Sequence, residues 1–209
     1  MSIPRPTEKV NRASRLPREF YARATLTVAR ELLNKRLVRL LDGERLAGRI
    51  VEVEAYSGAE DQASHARCGK TQRNAAMFGP PGQAYIYLIY GIHHCLNLVT
   101  ATEGYPAAIL IRALEPVAGL PTQWRLRGPK RFPQELTNGP GKLCQALAID
   151  RRFDQTDLCA PQSPLWVEDA DVIHASRLVA TPRIGVTGDE RARSVLWRFF
   201  IRDNVWVSR

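Results

Sequence analysis

Two strand-like runs, residues 36–41 and 46–56, are joined across Asp42-Gly43, a dipeptide suited to a tight hairpin turn. That hairpin commits the early part of the chain to antiparallel sheet, and it carries an unusual set of side chains. In the second run Val51, Val53 and Ala55 share one face by the two-residue period of a strand. Glu52, Glu54 and Tyr56 share the other. Taken alone, this polar face fits the wet side of an antiparallel sheet. Two acids and a phenol on one side of a buried-looking strand are nevertheless unusual.

The remaining periodicity extends the sheet. Residues 25–34 place Leu26, Ala29 and Leu33, with Val28 and Leu32, at helical spacing behind Thr25, a candidate cap. Residues 57–82, rich in Gly, Ala, Asn and Pro, read as a long irregular loop, a length that is usually functional inside a domain. Three strands follow at 83–90, 94–101 and 107–114, with a tight turn around Gly91. Asn138-Gly-Pro-Gly141 opens a short helix to about Ile149, and further strands are expected at 165–168, 178–184 and 196–207. The expected fold is α+β, a single domain with a curved, mostly antiparallel sheet and flanking helices. Residues 1–17 read as a flexible arm and residues 18–209 as the domain.

The 209 residues are enough to bury a sizeable core. The apolar runs are far shorter than the ~20 residues that cross a bilayer, and residues 3–9 are too polar for a signal peptide. A cytoplasmic protein is therefore expected. Cys68, Cys95, Cys144 and Cys159 are dispersed, and His65-x-x-Cys68 lacks a second pair, so reduced thiols and no metal are expected. Net charge is +9, which points to a polyanionic partner. Residues 1–49 hold 12 Lys/Arg against 5 Asp/Glu, residues 51–119 hold 4 against 6, and residues 120–209 hold 14 against 10. A basic frame surrounds a slightly acidic centre.

Other polar residues interrupt apolar runs. Tyr85 and Tyr87 share a strand face, and Tyr90 sits at a hairpin tip, where it packs poorly and could enter a partner. Plain strand propensity also accounts for the tyrosines. Arg112, within Ala107-Ala-Ile-Leu-Ile-Arg-Ala-Leu114, needs an anionic partner if buried, and Glu52 or Glu54 would serve. Asn97 raises the same question in its own strand.

Taken in order, these segments resemble the alkyladenine (3-methyladenine) DNA glycosylase family. The resemblance rests on Arg49-Ile-Val-Glu-Val-Glu-Ala-Tyr56, Gly58-Ala-Glu-Asp61 with His65, and Arg73-Asn74 with Met77-Phe78. It continues through Tyr85-Ile-Tyr-Leu-Ile-Tyr-Gly91, Cys95-Leu-Asn97, Leu110-Ile-Arg-Ala-Leu-Glu-Pro116, Gly139-Pro-Gly-Lys-Leu-Cys-Gln-Ala-Leu147 and Arg183-Ile-Gly-Val186. It spans roughly residues 18–208. Gln72 stands where many relatives have Pro, and Ile92 where Met is frequent. Both departures leave the breadth of substrate range open.

The resemblance implies an enzyme of base excision repair that flips alkylated or deaminated purines (3-methyladenine, 7-methylguanine, hypoxanthine, ethenoadenine) from duplex DNA and hydrolyses their N-glycosidic bond. It implies Glu54 as the base that activates water, with Arg112 helping to hold it. Tyr56, His65 and Tyr87 would wall the damaged base, with the His65 N–H reading its edge, and Asn97 would disfavour the 2-amino group of guanine. Tyr90, beside Ile92, would be the wedge, with Arg73 and Lys142 on the DNA. No cofactor or metal is implied, and a monomer of bacterial type, on the nucleoid when bound, is expected. Base flipping needs such a wedge, stacking walls and a cationic rim, and an oxocarbenium-like sugar suits one carboxylate. With no lysine beside the Glu/Tyr group, water attack without a Schiff base is expected, and Glu52 reads as a supporting acid. Two rivals stand beside this reading: a damage binder with little turnover, and a sugar hydrolase using Glu52 and Glu54 as a pair.

Overall fold

The computed structural model describes residues 15–129 and 132–208. The expected arm lies, for residues 1–14, outside the described residues. Arg15 and Leu16 already belong to the fold: the Arg15 guanidinium donates to the Leu158 and Ala160 carbonyls, and Leu16 is buried.

The hairpin forms as its sequence demands. Strands β1 (Arg36–Leu41) and β2 (Glu44–Ser57) pair antiparallel, and Asp42 and Gly43 both take positive φ, 49° and 85°. With β3 (Ala84–Ile89), β4 (His93–Val99), β5 (Ala107–Ala118) and β6 (Leu165–Glu168) they form an open antiparallel sheet in the order β3-β4-β5-β2-β1-β6. Strands β7 (Leu178–Thr181) and β8 (Arg198–Ile201) join through β8, which pairs with β2 at Glu52–Glu54. The eight-stranded sheet with a few short helices is the expected α+β class, in one domain.

Where β2 meets β5 the register shifts on both sides of Glu52. A bulge of this kind re-aims side chains. Here it lets consecutive Ile50 and Val51 both enter the core, after which Val53 and Ala55 alternate inward and Glu52, Glu54 and Tyr56 face the other way. Helix α2 (Thr25–Leu32) lays Val28, Ala29 and Leu32 on that core.

Several expectations need correction. Thr25 does not cap α2: Ala24 holds the cap position without a side-chain bond, and the Thr25 hydroxyl pairs with Thr100 instead. Residues 57–82 are not wholly irregular, since 3-10 turns form at His65–Cys68 and Ala75–Phe78. Strand β7 stops at Thr181 because Pro182 has no N–H for the ladder. Strand β8 spans only Arg198–Ile201, because Asp203 turns with φ 57°. Helix α4 (Pro140–Ala146) ends before Ile149, with Ala148 at φ 50°. Three short helices carried no clear sequence period: α1 (Arg18–Tyr21), α3 (Leu120–Arg127) and α5 (Glu190–Ser194).

Candidate active site

Glu52 and Glu54 are both fully buried, so their face of β2 is not the wet side of the sheet. Arg112, opposite them on β5, serves both: its Nε donates to Glu52 Oε1 at 2.9 Å and its Nη1 lies 3.2 Å from Glu54 Oε1. Burial works against the guanidinium charge, but Glu54 and then Glu52 outweigh it and raise the Arg112 pKa.

The two acids then diverge in environment. Glu52 also accepts from Arg198 Nε at 2.7 Å, from the Ser208 backbone N–H at 2.6 Å and from the Ser208 hydroxyl at 2.8 Å. It is enclosed and does not line the cavity beside it. That removes the paired-acid sugar hydrolase. Glu54 does line the cavity, and accepts from the Ile184 N–H at 2.7 Å on Oε1 and from the Tyr56 hydroxyl at 2.9 Å on Oε2. A carboxylate has about four lone-pair sites, so Oε2 retains room for another donor. Burial first, then the Glu54 charge, push the Tyr56 phenol well above its usual pKa, so it stays a donor.

The cavity holds about 800 Å³. It is lined by Tyr56, His65, Tyr85, Tyr87, Cys95 and Asn97, among others, with Arg112 and Glu54 at one side. His65 and Tyr87 meet edge to face, with ring centroids 4.5 Å apart, and His65 Nδ1 lies 2.8 Å from the Tyr85 hydroxyl. Burial, aided by Arg73 and Arg67, lowers the His65 pKa, which favours the neutral ring. Burial likewise raises the Tyr85 and Tyr87 pKa values and pushes the Cys95 thiol up to about 11. Asn97 is held by two bonds from its amide nitrogen, to the carbonyls of Tyr85 (3.1 Å) and Cys95 (3.3 Å).

At the rim, Tyr90 and Gly91 both have positive φ (53° and 72°), closing a turn in which the Ile92 N–H donates to the Ile89 carbonyl. Tyrosine in this conformation is strained, and Tyr90 is 86% exposed beside Ile92, 70% exposed. Arg73 and Lys142 line the mouth, Lys142 donating to Asn138 Oδ1 at 2.7 Å. Of the site residues singled out in the sequence, Glu52 and Ile92 do not line the cavity, although Ile92 adjoins the loop that does.

Two supports carried no role in the sequence reading. Asn74 is buried and donates to the His65 carbonyl (2.8 Å) and the Gly69 carbonyl (2.9 Å), while accepting from the Thr71 N–H (2.6 Å). Asn74→Ala leaves these backbone groups unpaired and should cost about 1–3 kcal/mol. Faster amide exchange across 65–72, with a lower Tm, is the expected result. Unchanged exchange there would show that Asn74 does not order the loop. The second support, Arg183 with Asp61, places Ile184 against Glu54. An arginine following Pro182 was a signal, but its partner lies 122 positions away. Among the described residues, no cluster of three or more His, Cys, Asp or Glu could hold a metal, and no helix is long and apolar enough to cross a membrane.

A cavity with aromatic walls, one acid and a cationic mouth suits a flat ring removed from a polyanion, which defines an enzyme acting on nucleobases. Residues 19–205 match the methylpurine-DNA glycosylase family model. A protein of Methanocella arvoryzae is 51% identical, covering 93% of this chain and 96% of its own. One of Alkaliphilus oremlandii is 48% identical over 93% and 99%, and one of Anaeromyxobacter dehalogenans 50% identical over 93% and 87%. Their names are built on "3-methyladenine DNA glycosylase". The chain belongs to the methylpurine-DNA glycosylase family, and is a DNA-binding hydrolase of N-glycosyl bonds in base excision repair.

Proposed function

We propose that the protein flips 3-methyladenine and related alkylated or deaminated purines out of duplex DNA and hydrolyses their bond to C1′ with water activated by Glu54. The observation that carries this reading is that Glu54 is the one acid among the described residues lining the cavity. Arg112, Ile184 and Tyr56 fix its orientation and leave a second lone-pair site on Oε2 to accept from water. In the reaction the water oxygen bonds C1′ as the N-glycosidic bond breaks. Glu54 takes the water proton, and the base departs with the bonding electron pair. The same carboxylate stabilises the oxocarbenium character of the sugar.

A cationic 7-methylguanine or 3-methyladenine needs no proton to leave. A neutral hypoxanthine or ethenoadenine does, and Tyr56, Tyr85 and Tyr87, with pKa values raised by burial, are poor donors. Tyr56, His65 and Tyr87 supply the stacking walls, and Asn97, tied at its amide nitrogen, is held rigid enough to reject a 2-amino group. Tyr90, with Ile92, enters the vacated stack, while Arg73 and Lys142 grip phosphate. The cavity is built within one chain, so a monomer suffices.

Single-turnover incubation with a duplex carrying one 7-methylguanine or one hypoxanthine should release free base and leave an abasic strand cut only by alkali. Borohydride should trap no covalent adduct, because the lining lysine, Lys142, is engaged by Asn138 at the mouth. A trapped adduct would overturn the water mechanism. Tight binding with no release would instead establish a damage binder. Tyr90→Ser should lower release from a well-paired lesion by roughly tenfold or more, the worth of one stacked ring, and spare a loosely paired one. Equal rates on the paired lesion would remove the wedge role.

A further inference from the structure

Arg183 and Asp61 form a bidentate ion pair that is closed to solvent, with side chains 0% and 1% exposed and contacts of 2.6 and 2.8 Å. Arg183 also donates to the Ala55 and Ala192 carbonyls, at 3.0 Å each, and its Nε–H finds no acceptor among the described residues. Its guanidinium carbon lies 4.6 Å from the centroid of the Tyr56 ring. Tyr56 lines the cavity and Arg183 does not, so the guanidinium packs on a cavity-lining ring without itself reaching the cavity. Asp61 also ties down the chain leading to His65, accepting from the Ala63 N–H at 3.1 Å and, by its carbonyl, from the Ser64 N–H, one residue before His65.

A cation behind an aromatic ring draws on the same π density that would hold a cation in front of it. An unneutralised Arg183 would therefore weaken stacking of a positively charged base on Tyr56 while sparing a neutral one. The Asp61 carboxylate cancels that charge at close range. We propose that Asp61 and Arg183 act through Tyr56 as a specificity-determining pair, setting how strongly the pocket favours cationic over neutral purines. This inference rests on the reading of the cavity as the damaged-base pocket.

The test compares single-turnover release of 7-methylguanine, a cation, with that of hypoxanthine, a neutral base, from otherwise identical duplexes. Rates are taken per folded molecule. Asp61→Asn leaves the guanidinium without its counter-charge, and the cationic-to-neutral rate ratio should fall about threefold to thirtyfold, the span from an exposed to a desolvated cation–π contact. Arg183→Gln leaves the carboxylate alone, and the ratio should move in the opposite direction. The double variant restores neutrality and should bring the ratio back toward the parent. If one single variant fails to fold, the other and the double still decide the sign. A merely structural pair would lower both rates alike, and an unchanged ratio in the folded variants overturns the proposal. Release of neither base by the parent would instead sink the substrate reading on which it rests.

Discussion

Glu54→Gln should lower single-turnover base release by about 10²–10⁴-fold, the usual worth of a positioned general base. The substitution is nearly isosteric, so the cavity keeps its shape. The amide still offers an oxygen to the Ile184 N–H, which approaches Glu54 at 2.7 Å. On the proposed mechanism, what it removes is the ability to take a proton from water and the negative charge beside C1′. The residues proposed to grip phosphate and to wall the base are untouched, so affinity for a lesion duplex should be within a few fold of the parent or tighter. Rapid quench and fluorescence anisotropy on the same duplex measure both quantities. Parental release by this variant would mean that another group activates the water. Loss of binding in parallel would mean that Glu54 shapes the pocket and does not act on water.

The second large effect is on stability. Arg112→Met should cost about 3–5 kcal/mol, because it leaves carboxylates stranded where water cannot reach them. Glu52 keeps Arg198 and Ser208, but among the described residues Glu54 loses its one cation and retains only the Ile184 N–H and the Tyr56 hydroxyl. Neither a neutral donor nor the methionine sulfur replaces a guanidinium. For a domain of this size the Tm should fall by roughly 10 °C, and base release from the folded fraction should fall as well. Arg112→Lys keeps the charge but not the planar fork that spans both acids, so it should recover only part of either loss. Thermal denaturation followed by single-turnover assay below each variant's Tm separates the two effects. A methionine variant as stable as the parent would show that neutral donors alone compensate the buried acids.

The β1–β2 hairpin was legible because its information is local. Asp42-Gly43 accepts the left-handed turn, and alternation on β2 predicts which side chains share a face. The strands of Tyr85, Asn97 and Arg112 were legible for the same reason. The shorter elements were not. Helix α3, as long as α2, buries the polar Thr122 and Gln123 and so displays no apolar period, helix α5 has too few turns to display one, and β8 is defined by the edge of β2 that it covers and not by its own alternation. Thr25 looked like a cap by residue type, yet the hydroxyl has a partner at Thr100, 75 residues distant.

The roles of the two acids could not be divided from their spacing. Glu52 and Glu54 sit on one strand face by a rule of period, and that much the order of residues determined. Which of them is sealed and which meets the cavity was decided by chain segments far away. Ser208 and Arg198 close over Glu52, and the stretch after Arg183 brings the Ile184 N–H onto Glu54. Period and turn chemistry act between neighbours and can be read along the chain. The burial and hydrogen bonding that give a carboxylate its function depend on which remote atoms exclude water from it, and only the folded tertiary structure sets that.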